Sequence, residues 1–166
     1  HPDTPMEGQL LTDLFKGREA QLEGFKQHMT GLMAEQGLEY GDRNKTYNSR
    51  LAQELGCWAD SQANGEEVHK QLYRAYFVDN LNISDPELLV SLVEKAGLDS
   101  DAARKALVER SFSDSVDQDW SRAHSYGVTG VPTFVSAGLS VVGCQPYELL
   151  TRFANHLKEL KQDVAE

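Results

Sequence analysis

Cysteine is scarce in this chain of 166 residues: only Cys57 and Cys144 occur, far apart. Two such residues cannot build a disulfide scaffold, form a Cys-x-x-Cys redox pair or supply a thiolate zinc site. The five histidines (His1, His28, His69, His124 and His156) lack His-x-x-x-His spacing, so no metal ligand set is expected. Basic residues are also few. Lys and Arg number 16 against 26 Asp and Glu, a formal charge of -10. No basic cluster is available to displace counterions from a phosphate backbone, which argues against a nucleic-acid partner. No apolar run approaches the roughly 20 residues of a membrane helix, and no charged-then-apolar leader precedes the first helix. A Gly-rich phosphate cradle and a Gly-x-Ser-x-Gly elbow are absent as well. Scarce cysteine leans toward a reducing, cytoplasmic setting.

What is present is helical periodicity. Leu10, Leu11, Leu14 and Phe15 suggest a first helix over Gly8–Phe15. Leu22, Phe25, Met29, Leu32 and Met33 form a 3.6-residue stripe that predicts a helix from Arg18 to Gln36, closed by Gly37. An irregular loop runs to Thr46. Further helices are expected over Tyr47–Ala63, ended by Asn64-Gly65, and over Glu66–Val78. Ser84-Asp85-Pro86-Glu87 reads as a capping box with proline in the first turn, opening a helix to Gly97. Asp99 or Ser100 caps a helix to Arg110, and Asp114–Tyr126 is the last before the strands.

Strand character begins only at Pro132-Thr133-Phe134-Val135, after Gly127 and Gly130. Proline cannot donate to a ladder, so Pro132 belongs at the first residue of this strand or on an edge. A turn at Ser136-Ala137-Gly138 and a second run, Leu139–Val142, complete a hairpin. Gly143-Cys144-Gln145-Pro146 then leads into an amphipathic helix from Tyr147 to about Leu160.

This order of helix, Gly-Val-Pro strand, hairpin, Gly-x-Gln-Pro and helix resembles the C-terminal half of the thioredoxin fold. More narrowly it is similar to the DsbA family, in the FrnE-like branch that includes the 2-hydroxychromene-2-carboxylate isomerases. Leu72-Tyr73-Arg74-Ala75-Tyr76-Phe77, Asn82-Ile83-Ser84-Asp85-Pro86, and Ala96-Gly97-Leu98-Asp99 resemble that branch's helical insertion. The resemblance covers roughly Met6 to Leu160. It implies an α/β, thioredoxin-like fold with a large all-helical insertion. Residues 1–8 would leave an N-terminal strand–helix–strand unit that the sequence lacks, 9–125 would form the helical lobe and connecting helices, and 126–166 the C-terminal half of the fold.

The implied activity is thiol–disulfide exchange on a protein thiol or disulfide, or on a small thiol such as glutathione, without a bound cofactor. Val131, Pro132 and Thr133 would hold the substrate chain, with Val131-Pro132 in cis. Family members carry their Cys-x-x-Cys in the N-terminal unit, so no catalytic cysteine can be assigned in this chain, and alone it is expected to be inactive. Cys144 stands where relatives carry a small residue; it is a candidate thiol, although packing is the simpler role for it and for Cys57. Two other readings stay open: a glutathione-dependent isomerase or transferase of the kappa-like type, and a non-catalytic peptide-binding or chaperone module. The aromatic set Tyr73, Tyr76, Phe77, Trp120 and Phe134 reads as core at helical spacing, with part of it free to line a groove. Because the strand after Pro132 would pair with the first strand of the N-terminal unit, its edge needs that unit or another chain, as in a homodimer.

Overall fold

The computed structural model describes residues 3–163, with side chains through residue 160. His1, Pro2 and residues 164–166, which close the two terminal segments proposed above, lie outside the described residues. The elements run β1 (Gln9–Leu10), α1 (Leu11–Leu14), α2 (Glu19–Glu35), β2 (Lys45–Thr46), α3 (Arg50–Asp60), α4 (Glu66–Phe77), α5 (Pro86–Lys95), α6 (Ser100–Glu109), α7 (Ser113–Ser125), β3 (Thr133–Ser136), β4 (Leu139–Val142) and α8 (Tyr147–Asp163). The chain divides into two compact units, one up to Val116 and one from Asp117 onward.

The core of the first unit is built by α3 to α6. Leu55, Trp58 and Ala59 of α3 meet Val68 and Ala75 of α4, Leu89, Leu92 and Val93 of α5, and Ala103 and Leu107 of α6. Each fully buried Leu or Val there contributes about 1.5–3 kcal/mol relative to exposure. Asn64 takes a left-handed φ of 63°, and Gly65 follows because a Cβ at that position would lie 1.8 Å from the Ala59 carbonyl oxygen. That close approach is why Asn64-Gly65 separates α3 from α4.

One carboxylate is buried in this unit. Glu54 on α3 is 2% exposed and accepts from Arg50 Nε at 2.7 Å and from Arg110 Nε and Nη2 at 2.7 and 2.6 Å. Burial raises its pKa, but the hydrogen bonds and charges of Arg110 and Arg50 outweigh that and hold the carboxyl below its ordinary value. Arg110, left-handed at φ 55°, closes α6, and Arg50 Nη2 also donates to the Ser113 carbonyl at 2.8 Å. Glu54 therefore ties the turn between α6 and α7 to α3.

Two local expectations need correction. Gln9-Leu10 is not helical but pairs antiparallel with Lys45-Thr46, because Gly8, at φ 81°, turns the chain against the Tyr47 ring. The cap of α5 is Asp85, which accepts from Glu87 N–H at 2.9 Å. Ser84 is buried instead, donating to Asn82 Oδ1 at 2.6 Å and to the Met6 carbonyl. The helix α2 forms over its expected range but buries none of its residues: Phe25 is 51% exposed and Met29 36%. Periodicity marks which side of a helix is apolar, not whether anything covers it.

In the second unit, α7 ends in the anticipated glycine stop: Gly127, at φ 69°, donates to the His124 carbonyl and Val128 to that of Ala123. β3 and β4 pair antiparallel with Thr133 opposite Val142 and Ser136 opposite Leu139. The two residues between them, Ala137 and Gly138, both have positive φ, the pattern of a tight hairpin turn.

Candidate functional site

The hairpin brings the residues singled out in the sequence to one end. The Val131–Pro132 peptide bond is cis. Pro132 ends the loop, and its carbonyl accepts from Gly143 N–H at 2.8 Å across the hairpin mouth. Thr133 Oγ1 donates to the Gly130 carbonyl at 2.6 Å, which closes the loop on itself. On the opposite strand, Gln145 Nε2 donates to the Val142 carbonyl at 2.8 Å and holds the turn that leads into α8. Cys144 sits between Gly143 and Gln145 and is solvent-exposed. Val131, Pro132, Thr133 and Cys144 thus share one end of the hairpin.

The packing role expected of Cys144 does not hold, because its position past the end of β4 leaves it outside any core. Cys57 is half-buried on α3, in the other unit, and both cysteines are free thiols. Val131 is 89% exposed, and among the described residues neither its N–H nor its carbonyl has a hydrogen-bond partner. One edge of β3 pairs with β4; no other described strand pairs with β3. An exposed backbone N–H and C=O beside a bare strand edge can accept a further extended segment, which is how sheets take up peptides.

The aromatic set divides. Tyr76 packs against the helical core, whereas Tyr73 is 64% exposed and stacks on Phe77 with ring centroids 6.0 Å apart. Trp120 and Phe134 belong to the second unit, where Phe134 is 45% exposed. The core role expected of Tyr73 and Phe134 fails, since their elements leave those faces uncovered. Sequence reasoning also passed over Gly143 and Gln145 as individual contributors. Their signal was the Gly-Cys-Gln-Pro run, whose bonds to Pro132 and Val142 become visible only once the register is known. Among the described residues, no group of three or more His, Cys, Asp or Glu side chains is placed to hold a metal ion. No described helix is long and apolar enough to cross a membrane.

Comparison with known proteins follows the same lines. The chain is 31% identical over 94 residues to the uncharacterized protein YwbO of Bacillus subtilis (strain 168). That alignment takes in 56% of this chain and 47% of YwbO, so the chain matches about half the length of this relative. It also superposes on the crystal structure of a probable DsbA oxidoreductase from Streptomyces coelicolor, with a TM-score of 0.82 and 27% identity. The superposition covers 95% of this chain and 71% of that one. The α/β architecture is therefore thioredoxin-like with a helical insertion. Residues 4–155 match the DsbA-like thioredoxin domain, and the chain belongs to that family.

Proposed function

We propose that this chain belongs to a thiol–disulfide oxidoreductase of the FrnE-like branch and supplies its substrate-holding loop. The observation that carries the reading is Val131: 89% exposed, with both backbone polar groups unpartnered, at the same hairpin end as Pro132 and Thr133. An extended peptide would pair with these groups while a neighbouring thiolate attacks one sulfur of its disulfide. A mixed disulfide forms and the other sulfur leaves as thiolate. A second thiol then displaces the substrate sulfur, so two electrons pass to the substrate. The reverse sequence oxidises a dithiol. Cys57 and Cys144 lack the Cys-x-x-Cys spacing of a pair that could run this exchange. We assign the bare edge of β3 to a strand supplied by another segment or by a second copy. Two free cysteines and the absence of a scaffold of disulfides support a reducing, cytoplasmic location.

The test is titration of the isotopically labelled chain with an unfolded, carboxymethylated peptide, read by amide chemical shifts. The largest shifts are expected at Val131, Thr133 and Gly143. Val131→Pro, which removes the N–H, should weaken binding about tenfold, the worth of one hydrogen bond made in a desolvated groove. Binding that leaves Val131 and Thr133 unmoved would refute the substrate-loop role. In an insulin-reduction assay the chain alone should show no turnover, and Cys144→Ser should change nothing.

A further inference from the structure

The first unit carries an open cleft of about 970 Å³ between α1, α2 and the loop that precedes β2. Leu11, Phe15, Leu22, Phe25 and Met29 form its apolar wall, and Arg43 lines it together with Glu23, Lys26, His28 and Asp42. This size and composition are those of small-molecule sites, which are mostly apolar with a few polar groups that fix orientation.

Arg43 is the unusual member. Its guanidinium carbon stands 4.7 Å from the centroid of the Tyr76 ring and 5.7 Å from that of Phe77. Its Nε is buried without a hydrogen-bond partner. Among the described residues no carboxylate pairs with it: the adjacent Asp42 is engaged by Lys26 Nζ at 2.6 Å. In a chain with 26 acidic and 16 basic residues, an arginine without a carboxylate is conspicuous. A guanidinium laid on an aromatic face keeps its N–H edge free, and that planar fork matches a carboxylate or sulfonate. The apolar side of the cleft is equally unspent, because Phe25 and Met29 of α2 stay open to solvent.

We propose that this cleft binds an amphiphilic monoanion, a small molecule with an aliphatic or aromatic body and one carboxylate or sulfonate head. The head pairs with Arg43 and the body covers Leu22, Phe25 and Met29. The overall charge of -10 repels anions in general, and Lys26, the other cation lining the cleft, is engaged by Asp42, so affinity here rests on the Arg43 guanidinium and the apolar wall rather than on a diffuse field.

The probe is dodecanoate, titrated calorimetrically below its micelle concentration, with dodecanol and dodecyltrimethylammonium as neutral and cationic counterparts. One saturable site is expected, with dodecanoate about tenfold or more tighter than dodecanol. Arg43→Gln should erase that difference, Arg43→Lys should keep part of it, and Phe25→Ala, at an exposed position, should weaken both ligands alike. If Arg43→Gln alters the circular dichroism of the chain, the contrast of dodecanoate against dodecanol on the unaltered protein decides. Equal affinity for all three head groups overturns the proposal, as does unchanged dodecanoate binding by folded Arg43→Gln. So does sedimentation showing that a dimer occupies the cleft and excludes dodecanoate.

Discussion

The two units treat apolar surface in opposite ways. Up to Val116, four helices close over a core in which Leu55, Val68, Leu89 and Val93 are wholly buried, and even a carboxylate, Glu54, is enclosed with its partners. From Asp117 onward no described side chain is fully buried, and Val131, Phe134, Val142 and Tyr147 are open. The first unit therefore has the means of its own stability, whereas the hairpin and α8 expose surface suited to contact. Segments that bind are drawn from the less buried parts of a fold because a closed core has nothing left to offer.

The largest expected effect falls on the closed side. Glu54→Ala leaves Arg50 and Arg110 without their shared anion and should cost about 3–5 kcal/mol, the usual result of breaking a buried pair. Denaturant unfolding followed by circular dichroism would measure it, and a loss under about 1 kcal/mol would show that the charge network is dispensable. Leu89→Ala, at a fully buried position of α5, should cost about 2–5 kcal/mol by the same measurement.

Acid sharpens the contrast. The Glu54 carboxyl is depressed in the folded state, so its contribution is present above the ordinary glutamate pKa and is lost as pH falls through the folded value. Unfolding midpoints of the parent chain and of Glu54→Gln should therefore converge as pH is lowered into that range. Midpoints that stay equally far apart at every pH would mean that another group governs the acid limb.

Smaller effects follow. Asp99 caps α6 by accepting from Asp101 and Ala102 N–H, both at 3.0 Å, and Asp99→Ala should cost about 1 kcal/mol. Phe134→Ser, on the open hairpin, should change stability by no more than about 0.5 kcal/mol while reducing peptide binding in the shift titration. A loss comparable to that of Leu89→Ala would place Phe134 in a core after all. Iodoacetamide should label Cys144 well before Cys57, since one thiol is exposed and the other half-buried on α3. Reversed order, read by mass spectrometry of digested protein, would contradict the exposure of the hairpin end.

Much of this was legible residue by residue. Periodicity located α2 to within a residue at either end, and Asp99 and Gly127 marked their helix boundaries by chemistry that acts within a few residues. The order of a proline-led strand, hairpin and helix was equally readable, since Pro132 has no N–H to offer a ladder. Readings failed where a remote partner intervened. Gln9-Leu10 became a strand because Lys45-Thr46 lies opposite it, and Ser84 left the cap to Asp85 because the Met6 carbonyl lies within reach of its hydroxyl.

What the sequence by itself determined was local: helix positions, most caps, the glycine stops, the Gly-Val-Pro loop and the spacing of Cys57 and Cys144, which is not that of a Cys-x-x-Cys motif. These depend on backbone preferences and hydrogen bonds that span only a few residues. Tertiary structure decided which apolar faces were covered, leaving Phe25 and Phe134 open and closing Leu55 and Leu89. It also set Gly143, the neighbour of Cys144 in the chain, against Pro132 through one hydrogen bond, enclosed Glu54 between two arginines, and laid Arg43 against Tyr76. Burial and pairing are properties of residues distant in the chain, so spacing alone carries no record of them.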